Sequence, residues 1–306
     1  MRAGTGVAIV HYRSYADLCV CLASLVVYEP RTPVVVVDHA SDEAALDALR
    51  LRFPSVRFLG TPANPGFAAG ANRAIRALDS ERVLVLNPDC RLKEPLLATL
   101  NGVLDEHPEV GVVGPRVLNG DGTVQPSARR FPDATTALAG RRSWLSAIAP
   151  GNALSRRNLI AAAPGDGMRH VDWVSGACML ISRKAFDAVG GFDESYFLYW
   201  EDADFCRRLL GLGLRTAYCP SVSVAHPGAR CSRFNARRAL IAFHVSAFRY
   251  YRTHAGVAGR LFSPIVALLL GGRLAFALTY QAITGLFGGE PAEPTDRAGA
   301  KFPHEV

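Results

Sequence analysis

Residues 199–211 read YWEDADFCRRLLG, with Glu201, Asp202 and Asp204 crowded at the front of a short helical pattern that ends at Gly211. Acids in a first helical turn complement its partial positive charge, at about 0.3–1 kcal/mol each, so their presence alone is ordinary. Their directions differ. At about 100° per residue, Asp202 shares a line with Phe205, Cys206 and Leu209, the apolar stripe expected to face a core. Glu201 points away, roughly with Arg208, and Asp204 sits near the far face. A carboxylate at the head of a buried stripe needs a partner, a ligand or a cavity, because an unpaired buried charge is expensive. Asp202 is therefore a candidate base. A second group of chemistry-bearing residues stands where apolar runs end: His11-Tyr12, Asp38, Gly60-Thr61 and Asn87-Pro88-Asp89.

Those runs are the elements that must position them. GVAIVHY (6–12), VVVVD (34–38), VRFLG (56–60) and RVLVLN (82–87) read as strands. Helical patterns at 15–28, 42–53 (after a Ser41 cap) and 68–78 separate them. This β-α-β alternation with apolar strands predicts an α/β fold with a mostly parallel sheet covered by helices on both faces. Ligands of such sheets bind at the carboxyl ends of the strands, where two acids and an Asn would converge on one crevice. Neither GxGxxG nor GxxxxGK[ST] is present, so the crevice needs another way to hold phosphates, and a metal held by Asp89 supplies one. Further on, 96–107 reads as a helix, and 110–118, 124–131, 170–183 and 216–226 read as strands. Residues 132–169 have weak periodicity and read as an insertion, and 290–306 as a disordered polar tail.

The 306 residues carry a formal charge of +7, unevenly spread: from Phe205 to Gly289 there are eleven arginines and no Asp or Glu. Such a stretch is expected to meet an anionic partner. No nucleic-acid recognition pattern accompanies it, so lipid head groups or a diphosphate fit better than nucleic acid. Residues 261–289 carry one charge, Arg273. They are long enough to span a bilayer, but Pro264, Gly271, Gly272 and the central arginine also allow a membrane-surface helix pair or a buried packing helix. The seven cysteines are scattered with no CxxC pair, which suits reduced thiols in the cytoplasm.

VVVVDHASDE, NPGFAAGANRAI, LVLNPDC, WVSGACMLISRKAFDAVGGFDESYFLYWEDADFCRRL and SVSVAHPG occur in this order. Together they resemble the inverting family-2 glycosyltransferases of GT-A fold, and within them the rhamnosyltransferase branch that includes actinobacterial enzymes acting on polyprenyl-diphosphate-linked GlcNAc. The resemblance covers residues 5–230, with 1–118 as the nucleotide-sugar half, 119–230 as the acceptor half, and 231–289 as an arginine-rich, apolar helical region. It implies transfer from a sugar nucleotide with a divalent cation, Mg²⁺ or Mn²⁺, on a DxD-like motif. Here that motif is the variant Asn87-Pro88-Asp89, with Asp89 and His226 as metal ligands. By the same resemblance Asp38 accepts a hydrogen bond from a pyrimidine base. His11, Tyr12, Asn64, Gly66, Phe67 and Asn72 complete the donor site with Asn87. Trp173, Gly176, Asp193, Trp200 and Asp204 lie on the acceptor side. Asp202 becomes the general base and Glu201 its support or an acceptor contact.

The absence of QxxRW after the acid helix favours one sugar per acceptor over processive synthesis. The expected donor is dTDP-L-rhamnose, the acceptor a lipid-linked or polysaccharide glycan, and the location the inner face of the cell membrane, held at its anionic surface. A UDP-sugar donor such as UDP-galactofuranose, an inactive polyprenyl-phosphate-binding scaffold and a nucleotidyltransferase are the alternatives.

Overall fold

The computed structural model describes residues 4–39, 42–132, 167–227 and 236–287. Strands β1 (Thr5–His11), β2 (Val34–His39), β3 (Val56–Thr61) and β4 (Arg82–Leu86) alternate with helices α1 (Tyr15–Tyr28), α2 (Glu43–Arg52) and α3 (Phe67–Arg76). Next come β5 (Arg91–Leu92), α4 (Leu97–Glu106), β6 (Val110–Leu118), β7 (Ala128–Arg129), β8 (Arg169–Val171), β9 (Trp173–Val174) and β10 (Cys178–Ser182). The remaining elements are α5 (Arg183–Val189), α6 (Glu201–Gly211), β11 (Arg215–Ala225), α7 (Ala236–His254), α8 (Val257–Leu261) and α9 (Ser263–Phe287).

The main sheet runs β3-β2-β1-β4-β10-β6-β11-β5, with β8 added beside β11, while β7 and β9 form a separate ribbon. β1 to β4 are mutually parallel, β10 lies antiparallel between β4 and β6, and β6 is parallel to β11. The expected mostly parallel sheet is thus present. Side chains alternate across it, as the twofold period of a strand requires. Val7, Ile9, Val34, Val36, Leu84 and Leu86 pack with α1 and α4 on one face. Ala8, Val10, Val35, Val37, Val83 and Val85 pack with α3, α5 and α6 on the other. Two buried faces explain why these strands read as unbroken apolar runs.

Several expectations are corrected. The cap of α2 is Asp42, whose carboxylate accepts from Ala45 N–H; Ser41 lies outside the described residues. The run 170–183 is not one strand. It breaks at Ser175-Gly176-Ala177 because Ser175 N–H turns to Ser127 O and Cys178 N–H returns to Ser175 O. In 124–131 the regular pairing is limited to β7 and a bridge from Val124 to Leu118. Most of the insertion, the tail from 290, Arg230 and Arg233 lie outside the described residues.

The buried-packing reading of 261–289 is overturned. α9 is one continuous helix, and its apolar stretch Ser263–Ile283 has mean hydropathy 1.5 with none of it buried. Pro264 falls in the first turn, where its missing N–H costs nothing. Among the described residues α9 is the one helix long and apolar enough to cross a membrane. It rests against α7.

Candidate active site

The break between β9 and β10 joins two clusters of polar groups. On one side, Gly176 N–H donates to Asp202 Oδ2 at 3.0 Å and Ala203 N–H donates to Asp202 Oδ1 at 2.8 Å. On the other, Ala177 carbonyl accepts from Asn87 N–H at 2.9 Å. A three-residue turn therefore ties the acid helix to the end of β4. A β-carbon on Gly176 would stand in ordinary contact with Asp202 and the Phe67 ring, so this glycine lies between the two.

Asn87 and Asp89 follow β4, and His226 follows β11. His226 Nε2 lies 3.1 Å from Asp89 Oδ1 and 3.4 Å from Asn87 Nδ2. Both β11 and its neighbour β6 set this corner: His226 N–H donates to Leu118 O at 2.7 Å, and Gln125 N–H donates to Val117 O at 2.8 Å. Gln125 then grips His226 twice, its Oε1 facing Nδ1 at 3.0 Å and its Nε2 donating to the His226 carbonyl at 2.6 Å. The ring must carry a proton on Nδ1 to satisfy Gln125, so a neutral His226 turns the lone pair of Nε2 toward the Asp89 carboxylate. Two lone pairs at that separation repel unless a proton or a cation lies between them. A carboxylate, an imidazole and an amide form an oxygen–nitrogen set that suits Mn²⁺ or Mg²⁺. Among the described residues no three His, Cys, Asp or Glu side chains gather into a metal cage, so a cation here would need oxygens from a substrate or water. Gln125 was not apparent from sequence, since no motif marks a lone glutamine after a turn.

The donor-side loop is built on close approach. Asn64 Oδ1 accepts from Gly66 N–H at 2.9 Å. Gly66 has φ 108°, and a side chain there would overlap the Phe197 carbonyl, which also accepts from Phe67 N–H at 2.8 Å. Glycine is required on both counts. Tyr12 is half-buried next to the exposed Arg13, whose guanidinium stacks 5.2 Å from its ring.

Three donor-side residues are less open than expected. Asp38 is fully buried: its Oδ1 meets His11 Nδ1 at 2.6 Å and its Oδ2 accepts from Tyr15 O–H at 2.9 Å. His11 is equally buried, so neither side chain presents itself to a base while Tyr15 holds this position. Asn72 is also turned inward. It donates to Phe192 O and Glu194 Oε1, each at 2.8 Å, and accepts from Phe192 N–H at 2.9 Å. It fastens α3 to the turn before the acid helix instead of lining the donor site, because an amide buried there must satisfy both its groups.

The helix-wheel reading of the acids is corrected too. Glu201 and Asp204 are 5% and 1% exposed, while Asp202 is half-buried. Asp204 pairs with Arg208 Nε at 2.7 Å on its own helix and His254 Nε2 at 2.8 Å on α7, so it is a tie between helices and not an acceptor contact. Glu201 Oε2 has no hydrogen-bond partner. Burial, followed by the neighbouring Asp202 and then Asp204, pushes the Glu201 carboxyl well above its ordinary value. Burial raises Asp202 as well, but the Gly176 and Ala203 N–H groups and the Arg129 guanidinium oppose it. Of this coupled pair, Asp202 gives up its proton first.

The acceptor-side residues divide. Trp173 is half-buried, donates to Arg130 O at 3.0 Å and lies under the Arg129 guanidinium, 4.9 Å from its ring. Asp193 Oδ1 accepts from Ser195 N–H at 2.9 Å, a local turn contact. Trp200 precedes Glu201, and its backbone, with that of Tyr199, is left-handed (φ 73° and 67°). Such angles cost a bulky residue on the order of 1–3 kcal/mol, and here they aim the start of α6 at Gly176.

Similarity to known proteins agrees with this geometry. The chain is 34% identical over 243 residues to N-acetylglucosaminyl-diphospho-decaprenol L-rhamnosyltransferase of Mycobacterium tuberculosis, covering 74% of this chain and 77% of that one. It is 25% identical over 226 residues to a low-salt glycan biosynthesis hexosyltransferase of Haloferax volcanii, covering 72% and 66%. Among solved structures, a mannosyltransferase from Pyrobaculum calidifontis in complex with GDP-Man and Mn²⁺ aligns with TM-score 0.53 at 17% identity, over 95% of this chain and 77% of that one. That likeness bears on the fold, which is GT-A-like. The model of the glycosyltransferase-like family 2 matches residues 3–240, and the chain belongs to this family and is a glycosyltransferase.

Proposed function

We propose that the enzyme transfers a single L-rhamnosyl group from dTDP-L-rhamnose to a hydroxyl of a polyprenyl-diphosphate-linked GlcNAc acceptor, with inversion at the anomeric carbon. The observation that carries this reading is the 175–177 turn, which connects the Asp202 carboxylate to the Asn87–Asp89–His226 corner. A base linked by one short turn to a corner suited to the departing diphosphate is the pairing that direct displacement needs. The Mycobacterium tuberculosis relative, named for that acceptor and that sugar, supports the choice of substrates.

In this mechanism Asp202 accepts the proton of the attacking hydroxyl. Two backbone N–H donors fix its oxygens and favour its ionised form, so the base is oriented before the acceptor arrives. Glu201, whose buried carboxyl is pushed toward its neutral form, lies beside it as a hydrogen-bonding group for the acceptor or for Asp202. Asp89 and His226 would hold a divalent cation, with Asn87 beside them; bound there, such an ion supplies Lewis-acid stabilisation of the departing diphosphate. Gln125 keeps the His226 ring in the tautomer that turns Nε2 to this corner. The Asn64–Phe67 loop and Tyr12 frame the nucleotide, and Trp173 offers a ring face to a sugar of the acceptor.

A lipid-linked acceptor resides at a membrane, and the acid-free C-terminal third is suited to meet it at the anionic cytoplasmic face. α9 exposes Leu268, Leu269, Phe276 and Tyr280, while Arg237 and Arg238 lie at the start of α7. Such a combination binds anionic bilayers through apolar burial and charge together. Thermal shift across a nucleotide-sugar panel with Mn²⁺ or Mg²⁺ tests the donor. dTDP-L-rhamnose is expected to stabilise most, and a larger shift with UDP-galactofuranose or another UDP-sugar would move the assignment.

A further inference from the structure

We infer that α7 belongs to the catalytic apparatus, with Phe243, Tyr250 and His254 as positioning residues that hold the left-handed Tyr199–Trp200 pair and thereby aim Asp202. The inference rests on Asp202 being the base, as proposed above.

The starting point is a conformation that local sequence does not favour. Two consecutive aromatic residues have φ 67° and 73° immediately before Glu201, and α6 has no side-chain cap at its N-terminus. Without an imposed geometry these residues would relax toward the right-handed or extended regions, and the first turn of α6 would move with them. Non-glycine residues persist in such angles only where surrounding structure over-determines them.

The surroundings that do so come largely from α7. Phe243 packs on both strained residues, its ring 5.9 Å from Tyr199 and 5.8 Å from Trp200. Tyr250 stacks 5.1 Å from Trp200, and its hydroxyl accepts from Arg207 of α6 at 3.2 Å. Ser246 Oγ donates to the carbonyl of Leu198, the residue before the strained pair, at 3.0 Å. His254 Nε2 reaches Asp204 Oδ1 at 2.8 Å, and Asp204 N–H closes the first turn of α6 on Trp200 O at 2.9 Å. Each contact falls between residues 198 and 207, which brackets Glu201 and Asp202. An arm serving only to anchor the enzyme would have no need to grip that segment. The same helix carries α9 against it, so the apolar arm and the base share one rigid support.

The test uses the full chain, with His254→Ala and Phe243→Ala compared with His254→Gln, which keeps an N–H donor for Asp204. Amide hydrogen exchange is read across 196–208 and across β1 and β4, and kcat and KM are measured with dTDP-L-rhamnose and GlcNAc-diphospho-polyprenol. The expected result is faster exchange confined to 196–208, a fall in kcat of about tenfold or more with donor KM little changed, and recovery in His254→Gln. Unchanged exchange and kcat in both alanine variants would overturn the inference. So would a general loss of protection in β1 and β4, because α7 would then be holding the whole fold and not the turn. Asp202→Asn separates the two readings. If it stays active while the α7 variants still loosen 196–208, the base assignment fails alone. If it is inactive while the α7 variants behave as the parent protein, the brace fails alone.

Discussion

Replacing Glu201 by Gln should make the protein more stable relative to the parent as pH rises. In the folded protein the Glu201 carboxyl is buried, its Oε2 is without a partner, and its pKa lies well above the ordinary value. In the unfolded chain it titrates near about 4.3. Between these two values the folded state holds a proton that the unfolded state has released, so stability falls as pH rises, by about 1.4 kcal/mol per pH unit. The loss begins at the unfolded value and is complete once pH passes the folded one. Gln cannot titrate, so the difference between variant and parent should be flat below about pH 4 and then widen. For a chain of 306 residues the widening corresponds to about 2–3 °C in Tm per pH unit. An amide nitrogen with no acceptor brings its own cost of about 1–3 kcal/mol, but that cost does not vary with pH; the slope carries the test. Thermal unfolding of both proteins by circular dichroism at intervals through the acid-to-neutral range measures it. Parallel profiles would refute the claim that Glu201 is held neutral by burial. Because Gln mimics a protonated acid, Glu201→Gln should also keep transfer activity within about tenfold of the parent.

Asp202→Asn should respond in the opposite manner, losing about 10²–10⁴ in kcat with little change in donor KM, as steady-state kinetics would show. Gln125→Leu leaves His226 free to choose its tautomer and should weaken Mn²⁺ binding by about 10–100-fold, measured by electron paramagnetic resonance without any substrate turning over. Leu268→Asp with Phe276→Asp should abolish sedimentation with anionic vesicles while leaving the fold intact, since both side chains are exposed on α9; unchanged sedimentation would refute membrane docking through that face. Deleting 232–306 is a poorer test, because it also strips α7 from the 198–207 segment.

What could be read from sequence followed physical lines. Strands buried on both faces leave a strong signal, and VVVVD and VLVLN could hardly be anything else. Of the residues closing those strands, Asn87 and Asp89 stand together and meet His226 after β11, while Asp38 does not join them and is buried against His11 and Tyr15. The acid helix was half legible. A helical wheel assumes one buried face, and it placed Asp202 correctly toward the sheet side, where Gly176 meets it. α6 has a second packing partner, α7, whose His254 meets Asp204 from another direction, and Glu201 is buried beside it. No local pattern announces a contact with a residue fifty positions away. Asn72 and Asp38 were misread as open for a related cause: a polar residue at a strand end or one turn inside a helix can serve a ligand or its own fold, and the partners that decide come from Phe192 and Tyr15. Ser41 and Asp42 are both capping residue types, so composition alone could not choose between them. The turn at 175–177 was hidden inside an apolar run, although it joins the two halves of the site.

The most direct test of the account is a transfer reaction with the purified enzyme, Mn²⁺ or Mg²⁺, GlcNAc-diphospho-polyprenol and each of dTDP-L-rhamnose, UDP-galactofuranose, UDP-glucose and GDP-mannose. The lipid product is read by mass spectrometry and its anomeric configuration by NMR. The expected product carries one deoxyhexose, formed from dTDP-L-rhamnose alone, with the configuration opposite to that of the donor. A product carrying another sugar, more than one residue, or a retained configuration would contradict it, as would the absence of transfer from dTDP-L-rhamnose.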